Sequence, residues 1–359
     1  MVGHLDLDYF YAQVEEVEDP SLRALPVVVC VYSGRTEDSG VVSTANYKAR
    51  ELGVRSGIPI VLAKRRLEGK GAKLIRMDRA KYQAYSERVM EIVKEGVDVM
   101  EQTGIDETFF DITKRSREDY DAAVGIAIEI KRNILDHEKL TCSIGLAPNK
   151  VVAKLASDFK KPDGLTVVPP VDLHRFMRTM PVEKLYGIGP KSAKILKEAG
   201  VVTIGDLAGK DMLMLDQLFG QKFAVYLHNA SNGTDDEPVV GTGAVKQFSR
   251  IITLKRDSRN LEEITAELSL AIDDVHKRVL EKGLFFRSIS VIGILTDLST
   301  KTRSKTLEAP TADLLSLKRT ATELFSSLLN ETGELRRVGI RVSDFSEAKT
   351  QSSLAEFLR

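Results

Sequence analysis

Acidic residues inside the first predicted strand place the strongest constraint on how this chain can fold. Residues 2–9 alternate in a way that predicts a β-strand, with Asp6 and Asp8 on the side opposite its apolar residues. A carboxylate that leaves water in such a segment must be paired, bind a metal ion or be neutralised. Asp6 and Asp8 therefore compete for a metal-binding role. The structural alternative for Asp8 is to cap the helix that begins near Tyr9.

Two further carboxylates, Asp106 and Glu107, stand at the tip of a predicted β-hairpin far along the chain. Three carboxylates gathered at one sheet edge repel one another unless cations lie among them. Hard carboxylate oxygens favour Mg²⁺ over zinc. Sites with two such ions stabilise the attacking and leaving oxygens of an in-line phosphoryl displacement. The spacing therefore predicts a site for Mg²⁺ if Asp6 meets this pair.

The charge of the chain is balanced overall but uneven along its length. Its 359 residues include 52 basic and 52 acidic ones, so net charge does not point to nucleic acid. From Thr44 to Lys81, however, eleven Lys or Arg face three Asp or Glu, and residues 244–359 hold nineteen against sixteen. Such patches can neutralise backbone phosphates, although each is also compatible with a solvated charged face.

The cysteines and the apolar runs exclude several other classes of protein. Cys30 and Cys142 are too few and too far apart for a disulfide framework or a zinc site, and Cys30 lies in an apolar run typical of a buried thiol. No apolar run reaches membrane-spanning length, and the chain opens directly on a strand. We therefore expect a cytoplasmic protein with no membrane partner.

The pattern of apolar residues predicts an α+β multidomain protein. Helical spacing over 79–95 and 119–137, with strands near 2–9, 72–77, 98–104, 108–112, 140–146 and 164–168, predicts helices packed on a mixed sheet. Short helices are expected over 172–232, followed by a linker at 233–244. Residues 245–342 predict a β-α-β-β-α-β order, which gives a four-stranded antiparallel sheet with two helices on one face.

Two local motifs predict contacts with phosphate groups, and a third motif places a cation at the sheet edge, where the sequence alone favours a solvated loop lysine. The segment from Thr44 to Arg50 starts a short helix and carries a hydroxyl, a phenol and a guanidinium. The turn at 160–164 ends a helix and holds a cation, Lys161, near the sheet edge. Residues 185–201 resemble a helix-hairpin-helix, whose Gly187 and Gly189 let backbone amides approach a phosphate without reading sequence.

Several segments of the chain, in order along residues 1–345, resemble Y-family translesion DNA polymerases of the DinB, or DNA polymerase IV, type. Among these, the archaeal members are the most similar. The likeness is carried by 6–16, 27–35, 44–57, 105–107, 149–164 and 250–263. It implies a right-handed polymerase with a palm (1–10 and 78–167), small fingers (11–77), a helical thumb (168–232) and a little finger (245–345). Residues 346–359 form a tail.

The resemblance also implies roles for individual residues. It selects Asp6, the Leu7 carbonyl, Asp106 and Glu107 as ligands of two Mg²⁺ ions, and Tyr11 as the steric gate against a ribose 2′-hydroxyl. The other implied nucleotide contacts are Phe10, Thr44, Tyr47, Arg50 and Lys161. The implied roof over the nascent base pair comprises Val31, Arg35, Val41, Ser43 and Gly57. The implied DNA contacts are Gly187, Gly189, Lys191, Arg250, Arg336 and Arg337.

The implied partners are primer-template DNA, a dNTP and a sliding clamp of the PCNA type, with the enzyme acting as a monomer. Leu354, Phe357 and Leu358, preceded by Gln351, would dock into the clamp as one turn of 3₁₀ helix. The family usually has Ser where this chain has Gly104, a change that removes no metal ligand. No carboxylate pair is left for a proofreading nuclease, so low fidelity is expected.

Two functions from other classes stay open on the sequence alone. A metal-dependent nuclease could use the same three carboxylates, but it would need neither a steric gate nor a triphosphate clamp. A non-catalytic DNA-binding module would use only the helix-hairpin-helix and the C-terminal sheet, and Asp106→Ala would leave it unchanged. Incubation with primed DNA and dNTPs separates both from a polymerase.

Overall fold

The structure is a computed structural model that describes residues 1–241, 243 and 245–347. The chain forms two compact units. The first comprises Met1–Cys30, Val42–Ile58 and Leu62–Gly243, and the second comprises Val31–Val41, Pro59–Val61 and the described residues from 245 onward. No helix in these described ranges has both the length and the apolar character needed to cross a bilayer.

The described residues form twelve strands and fourteen α-helices. The strands are β1 Val2–Leu7, β2 Val27–Tyr32, β3 Gly40–Ala45, β4 Lys73–Arg76, β5 Val99–Gln102, β6 Glu107–Asp111, β7 Cys142–Ala147, β8 Leu165–Val167, β9 Gln247–Ser258, β10 Leu284–Leu295, β11 Thr300–Thr311 and β12 Leu335–Glu347. The helices are α1 Phe10–Glu18, α2 Tyr47–Glu51, α3 Ile60–Leu67, α4 Arg79–Gly96, α5 Thr113–Ser116, α6 Tyr120–Glu138, α7 Lys150–Phe159, α8 Leu173–Arg178, α9 Pro190–Glu198, α10 Ile204–Ala208, α11 Met212–Phe219, α12 Gln221–Ser231, α13 Leu261–Glu281 and α14 Leu314–Asn330.

The central sheet of the first unit has the order β5-β6-β1-β7-β8. Strand β1 pairs antiparallel with both β6 and β7, whereas β7 and β8 run parallel, so the sheet is mixed as predicted. In the β1–β6 register Asp6 lies opposite Glu107. Helix α6 packs its predicted stripe, Ala123, Ala127, Ile130 and Ile134, into the core beside this sheet. The pairing of β1 with β6 is what brings the distant acidic segments together.

One predicted member of this sheet belongs elsewhere, so that part of the prediction was wrong. The strand expected near 72–77 is β4, and it pairs in parallel with β2 in a separate three-stranded sheet of order β3-β2-β4. The exposed and half-buried residues of β4 gave no signal of its partner. Val27 lies opposite Lys73 in this pair, and strand pairing over such a separation depends on tertiary packing.

The predicted capping role of Asp8 is also wrong. Tyr9 is the N-cap residue of α1, in the left-handed region with φ 36°, and no side chain caps the helix. The Asp8 carboxylate is buried and turns away from the helix, because it finds hydrogen-bond donors on other parts of the unit.

Short helices fill residues 173–231, as predicted, and share an apolar core with α7. The helix-hairpin-helix segment has Gly187 at φ 84° and Gly189 as the N-cap residue of α9. A Cβ on Gly187 would lie 3.1 Å from the Tyr226 ring, so this glycine is favoured by space as well as by backbone conformation.

The described residues from 245 to 347 have the predicted β-α-β-β-α-β order. Their sheet is antiparallel throughout, with strand order β11-β10-β12-β9. Helices α13 and α14 bury one face each in a single core with these strands. Strand β11 is longer than predicted: it spans Thr300–Thr311 where the pattern indicated only 304–309.

Candidate active site

A polar pocket of about 330 Å³ lies at one end of β1. Its lining comes from β1, the start of α1, the β3–α2 segment, the α2–α3 connection, the β5–β6 turn and the turn after α7, and all the lining residues belong to the first unit. The lining residues are Asp6, Leu7, Tyr9, Phe10, Tyr11, Ser43, Thr44, Tyr47, Arg50, Ser56, Asp106 and Lys161. Every predicted nucleotide contact is therefore in one place, as are two of the three predicted catalytic carboxylates.

Backbone pairing at the strand ends places Asp6 and Asp106 beside each other. The amide of Leu7 donates to the Asp106 carbonyl at 2.9 Å, which fixes the β5–β6 turn against the end of β1. Burial raises the pKa of Asp6 to about 6, against the opposing attraction of Lys161, and the charge of Asp106 raises it further. Burial, with repulsion from Glu107, also raises the pKa of Asp106. Both carboxylates thus hold protons more tightly than free aspartate does.

Lys161 supplies the main positive charge at this acidic edge. Its Nζ lies 2.7 Å from Asp6 Oδ1 and 2.8 Å from Asp158 Oδ1. Burial by itself lowers the pKa of this ammonium, but the two carboxylates outweigh burial and raise it. Lys161 is therefore charged at neutral pH, and it faces the same pocket as Asp6.

Glu107 points to a different cation. Lys154 Nζ donates to Glu107 Oε2 at 2.5 Å, and His4 Nε2 lies 3.5 Å from the same oxygen. The contact with His4 has the largest influence on Glu107 and, with Lys154, lowers the pKa of this carboxyl to about 2 despite burial. His4 is fully buried, and burial lowers its own pKa. Glu107 is therefore ionised but held away from the pocket lining.

The three carboxylates do not form a ready-made cage. Among residues 1–241, 243 and 245–347, no three His, Cys, Asp or Glu side chains are grouped closely enough to hold a metal ion. The donor set nevertheless fits Mg²⁺, because Asp6 and Asp106 offer carboxylate oxygens in one pocket and Glu107 stands opposite Asp6 on the paired strand. A Cβ on Gly104 would lie 2.9 Å from Glu107 Cγ, so the absent side chain leaves room for the observed position of Glu107.

The wall formed by β3 and α2 presents groups that suit an anion. The Tyr47 hydroxyl is buried and has no hydrogen-bond partner among the described residues, which is costly unless a ligand supplies one. The Arg50 guanidinium lies 4.9 Å from the centre of the Tyr47 ring, and its Nε donates to the Ala45 carbonyl at 2.8 Å. Asn46 begins the helix by accepting from Ala49 N. The remaining guanidinium donors and the phenol are available to phosphate oxygens.

Tyr11 is held by stacking rather than by a hydrogen bond. Its ring lies 4.4 Å from the Tyr82 ring at an interplanar angle of 23°. Tyr82 is fully buried, and its hydroxyl donates to Glu15 Oε1 at 2.5 Å. Phe10 is buried behind the pocket, 5.4 Å from Tyr11. This aromatic stack fixes the ring that faces the pocket.

The residues predicted to form the base-pair roof lie in both units. Ser43 lines the pocket, and Gly57 has φ 88° in a turn where its amide donates to the Val42 carbonyl at 2.8 Å. Val31 and Val41 are exposed side chains of the second unit. Arg35, in the same unit, donates to Asp257 Oδ1 at 2.5 Å. Their predicted contacts with a base pair stay predictions.

Several residues predicted to bind DNA are already paired with acids. Arg336 Nη2 lies 3.1 Å from Asp257 Oδ2, and Arg250 Nη1 lies 2.9 Å from Asp274 Oδ1. Arg337, Lys191, Gly187 and Gly189 are exposed. The predicted clamp-binding residues Gln351, Leu354, Phe357 and Leu358 lie outside the described residues.

Four side chains that organise the site were not predicted from the sequence. His4, Lys154, Asp158 and Tyr82 touch the predicted functional residues Glu107, Lys161 or Tyr11. Two signals were present in the sequence. His4 precedes Asp6 by the two-residue period of a strand, and Lys154, Asp158 and Lys161 follow one another at helical spacing. Nothing local marks Tyr82 as more than a core residue.

Comparison with known proteins accounts for both units. Residues 5–158 match the sequence model of the impB/mucB/samB family, residues 170–201 match the IMS family HHH motif, and residues 245–354 match the C-terminal domain of the same family. DNA polymerase IV of Nitrosopumilus maritimus (strain SCM1) is 42% identical over 359 residues, which cover 99% of both chains.

Solved structures of similar fold are also DNA polymerases. The Y-family DNA polymerase chimera Dbh-Dpo4(243-245)-Dbh has a TM-score of 0.90 at 33% identity, over 96% of this chain and 99% of that chain. An insertion ternary complex of Dbh DNA polymerase has a TM-score of 0.71 at 33% identity, over 96% and 99% of the two chains. The chain therefore belongs to the Y family of DNA polymerases, in its DinB, or DNA polymerase IV, group. It is a DNA-directed DNA polymerase, and its predicted right-hand fold is confirmed.

Proposed function

We propose that the pocket joins a deoxynucleotide to a primer during template-directed synthesis across damaged DNA. The primer 3′-hydroxyl attacks the α-phosphate of a dNTP, and pyrophosphate leaves. The observation that carries this proposal is the pocket lining, where Asp6 and Asp106 face Thr44, Tyr47, Arg50 and Lys161. Acidic ligands for a divalent ion and donors for a triphosphate share one small cavity, as nucleotidyl transfer requires.

Asp6, Asp106, Glu107 and the Leu7 carbonyl are the groups that would hold two Mg²⁺ ions. When bound, the ions activate the attacking hydroxyl and neutralise charge on the phosphates. The side chains of the pocket supply the remaining interactions. Lys161, which neutralises Asp6 here, and Arg50 on the opposite wall provide positive charge for the triphosphate.

Selection against ribonucleotides is assigned to Tyr11. Its ring forms part of the pocket surface and is backed by Tyr82 at stacking distance, so it cannot easily retreat from a 2′-hydroxyl. Four of the proposed roof residues, Val31, Val41, Ser43 and Gly57, have small side chains, and with Arg35 they would form a loose cover that admits distorted templates. With no second carboxylate site assigned to editing, we expect low fidelity.

Primer-template DNA is the proposed macromolecular partner. The exposed Gly187–Gly189 turn and Lys191 of the first unit would contact backbone phosphates, as would Arg250, Arg336 and Arg337 of the C-terminal sheet. We assign palm to 1–10 and 78–167, fingers to 11–77, thumb to 168–232 and little finger to 245–345. A monomer would act with a sliding clamp bound to the tail.

Primer extension tests the chemistry. Asp106→Asn should lower dNTP incorporation about 1,000-fold while leaving DNA affinity unchanged, because it removes a charged oxygen from the reacting centre alone. Asp121→Asn, which alters an exposed acid in the first turn of α6, is the matched control and should be fully active. Full activity of Asp106→Asn would refute the proposal. Degradation of the primer without extension would favour a nuclease.

The sugar and template preferences need separate assays. Tyr11→Ala should permit extension with ribonucleotides, whereas the native enzyme should reject them. Extension opposite an abasic site, an N2-adducted guanine and a thymine dimer, with and without a clamp, would define the lesions that the enzyme passes. Complete extension by the native enzyme with ribonucleotides would contradict the role given to Tyr11.

A further inference from the structure

Asp8 is a buried acid that the proposed chemistry does not use. Its side chain is 1% exposed and does not line the pocket. Three donors occupy its two oxygens: Ser143 Oγ at 2.8 Å from Oδ1, and both Thr141 Oγ1 and Asp163 N at 2.8 Å from Oδ2. A carboxylate satisfied in this way is a fixed structural anchor, and its oxygens are not free for a metal ion.

The anchor holds the turn that carries Lys161. The Asp163 amide, which donates to Asp8, lies two residues after Lys161. The Ser143 hydroxyl donates to Asp8 and accepts from the Gly164 amide at 3.2 Å, which ties the next residue to the same network. Asp8 therefore binds the turn directly and through Ser143, from the strand end that also carries Asp6.

A second group supports the same turn from the other side. Lys131 Nζ lies 2.6 Å from Asp163 Oδ1 and 2.5 Å from the Cys142 carbonyl. The turn is thus held between α6 and the end of β1. Such support matters for Lys161, because an ammonium on a flexible side chain gains little from a phosphate unless its backbone is already fixed.

Asp6 and Asp8 hold the turn at two different points. Asp6 contacts the Lys161 ammonium at 2.7 Å, and Asp8 contacts the backbone two residues further on. The ammonium must exchange Asp6 for a phosphate during the proposed reaction, whereas nothing in that reaction displaces the backbone contact. Of these two acids, Asp8 is therefore the one that can hold Lys161 in position during the whole reaction.

We propose that Asp8 is a positioning residue that sets the location of Lys161 and thereby the affinity of the enzyme for the triphosphate of the dNTP. This inference rests on the phosphate-binding role proposed above for Lys161. It explains why two acids separated by one residue occur at the end of β1: the first faces the reacting groups, and the second fixes the turn that supplies their counter-ion.

A double-mutant cycle on the full-length enzyme tests the inference. Asp8→Ala and Lys161→Met should each lower kcat/KM for dNTP about tenfold, mainly through a higher KM. The kcat/KM of the double variant should be within about twofold of that of the less active single variant, because the two substitutions remove the same interaction. Independent losses, about 100-fold in the double variant, would overturn the inference while leaving the role of Lys161 intact. An unchanged KM in Lys161→Met would instead overturn that role and this inference together.

Conservative and matched variants separate positioning from stability and from charge. Asp8→Asn keeps the shape and an acceptor for Asp163 N, so it should lose no more than about threefold in kcat/KM. An equal loss in Asp8→Asn and Asp8→Ala would show that charge matters and would overturn the positioning role. Glu138→Gln alters another buried acid, paired with Arg88, and its effect should multiply independently with Lys161→Met.

A poorly folded Asp8→Ala protein would not end the test. Ser143→Ala removes one donor to Asp8 and the acceptor for the Gly164 amide while leaving Asp8 in place. Its kcat/KM loss should be smaller, about threefold, and should also disappear in the Lys161→Met background. Persistence of that loss in the double variant would count against the inference as decisively as the first cycle.

Discussion

Gly145→Ala tests how closely α7 must approach the central sheet for the site to form. A Cβ on Gly145, in β7, would lie 2.2 Å from the Ala153 carbonyl oxygen and 2.4 Å from the Ser157 amide nitrogen. Both atoms belong to the backbone of α7, so no side-chain rotation relieves the clash. The helix must retreat by about 1 Å to restore ordinary contact.

The magnitude follows from the kind of contact. Overpacking in a core costs about 1–3 kcal/mol, and a clash with two backbone atoms belongs at the upper end, so we expect about 3 kcal/mol. For a domain of this size that corresponds to a loss of about 6–12 °C in Tm. Because α7 carries Lys154 and leads into Lys161, the dNTP KM of the folded fraction should also rise.

Thermal and urea unfolding, followed by steady-state kinetics, measure both effects. Gly125→Ala is the matched control, because Gly125 is an exposed position inside α6 where an added Cβ would meet no atom within 4 Å. That change should raise stability by about 0.5–1 kcal/mol, since alanine favours the helix. A Gly145→Ala protein within about 0.5 kcal/mol of the native one would refute the reasoning.

Three further predictions concern the site and the C-terminal sheet. The raised pKa of Asp6 means that its proton must leave before a cation binds. Polymerase activity at limiting Mg²⁺ should therefore rise with pH through about 6 and then level off. A flat activity profile between about pH 5.5 and 7.5 would contradict this prediction. Tyr82→Leu removes the ring that is stacked on Tyr11. The ratio of kcat/KM for dNTP to kcat/KM for ribonucleotide should therefore fall about tenfold. An unchanged ratio would show that the stack is dispensable. Asp257→Asn releases Arg35 and Arg336 from their acidic partner. In a DNA-binding titration, affinity at low salt should then rise about threefold and its salt dependence should become steeper. Weaker binding would contradict this prediction and would show that the pairs are needed for folding.

Local patterns in the sequence determined the elements and their faces. The helical spacing of α6 predicts which of its residues are buried, because side-chain direction follows from backbone geometry alone. In β1 the alternation predicts the strand but not its buried residues, since both of its faces are covered. The β-α-β-β-α-β order of residues 245–347 predicted their antiparallel sheet, because this order of elements is typical of that arrangement. The meeting of Asp6 with Asp106 was a hypothesis from the sequence, and the pairing of β1 with β6 brings the two acids together, because like charges provide no attraction of their own.

Tertiary structure decided which group each buried charge contacts. Asp6 could have paired with any nearby cation, and only the fold selects Lys161 for it and Lys154 for Glu107. Asp8 became an anchor for the turn after α7, rather than a helix cap or a metal ligand, because three donors from distant segments converge on it. Periodicity carries no information about such partners: a buried charge takes the nearest good donors in space, and long-range strand pairing determines which donors those are.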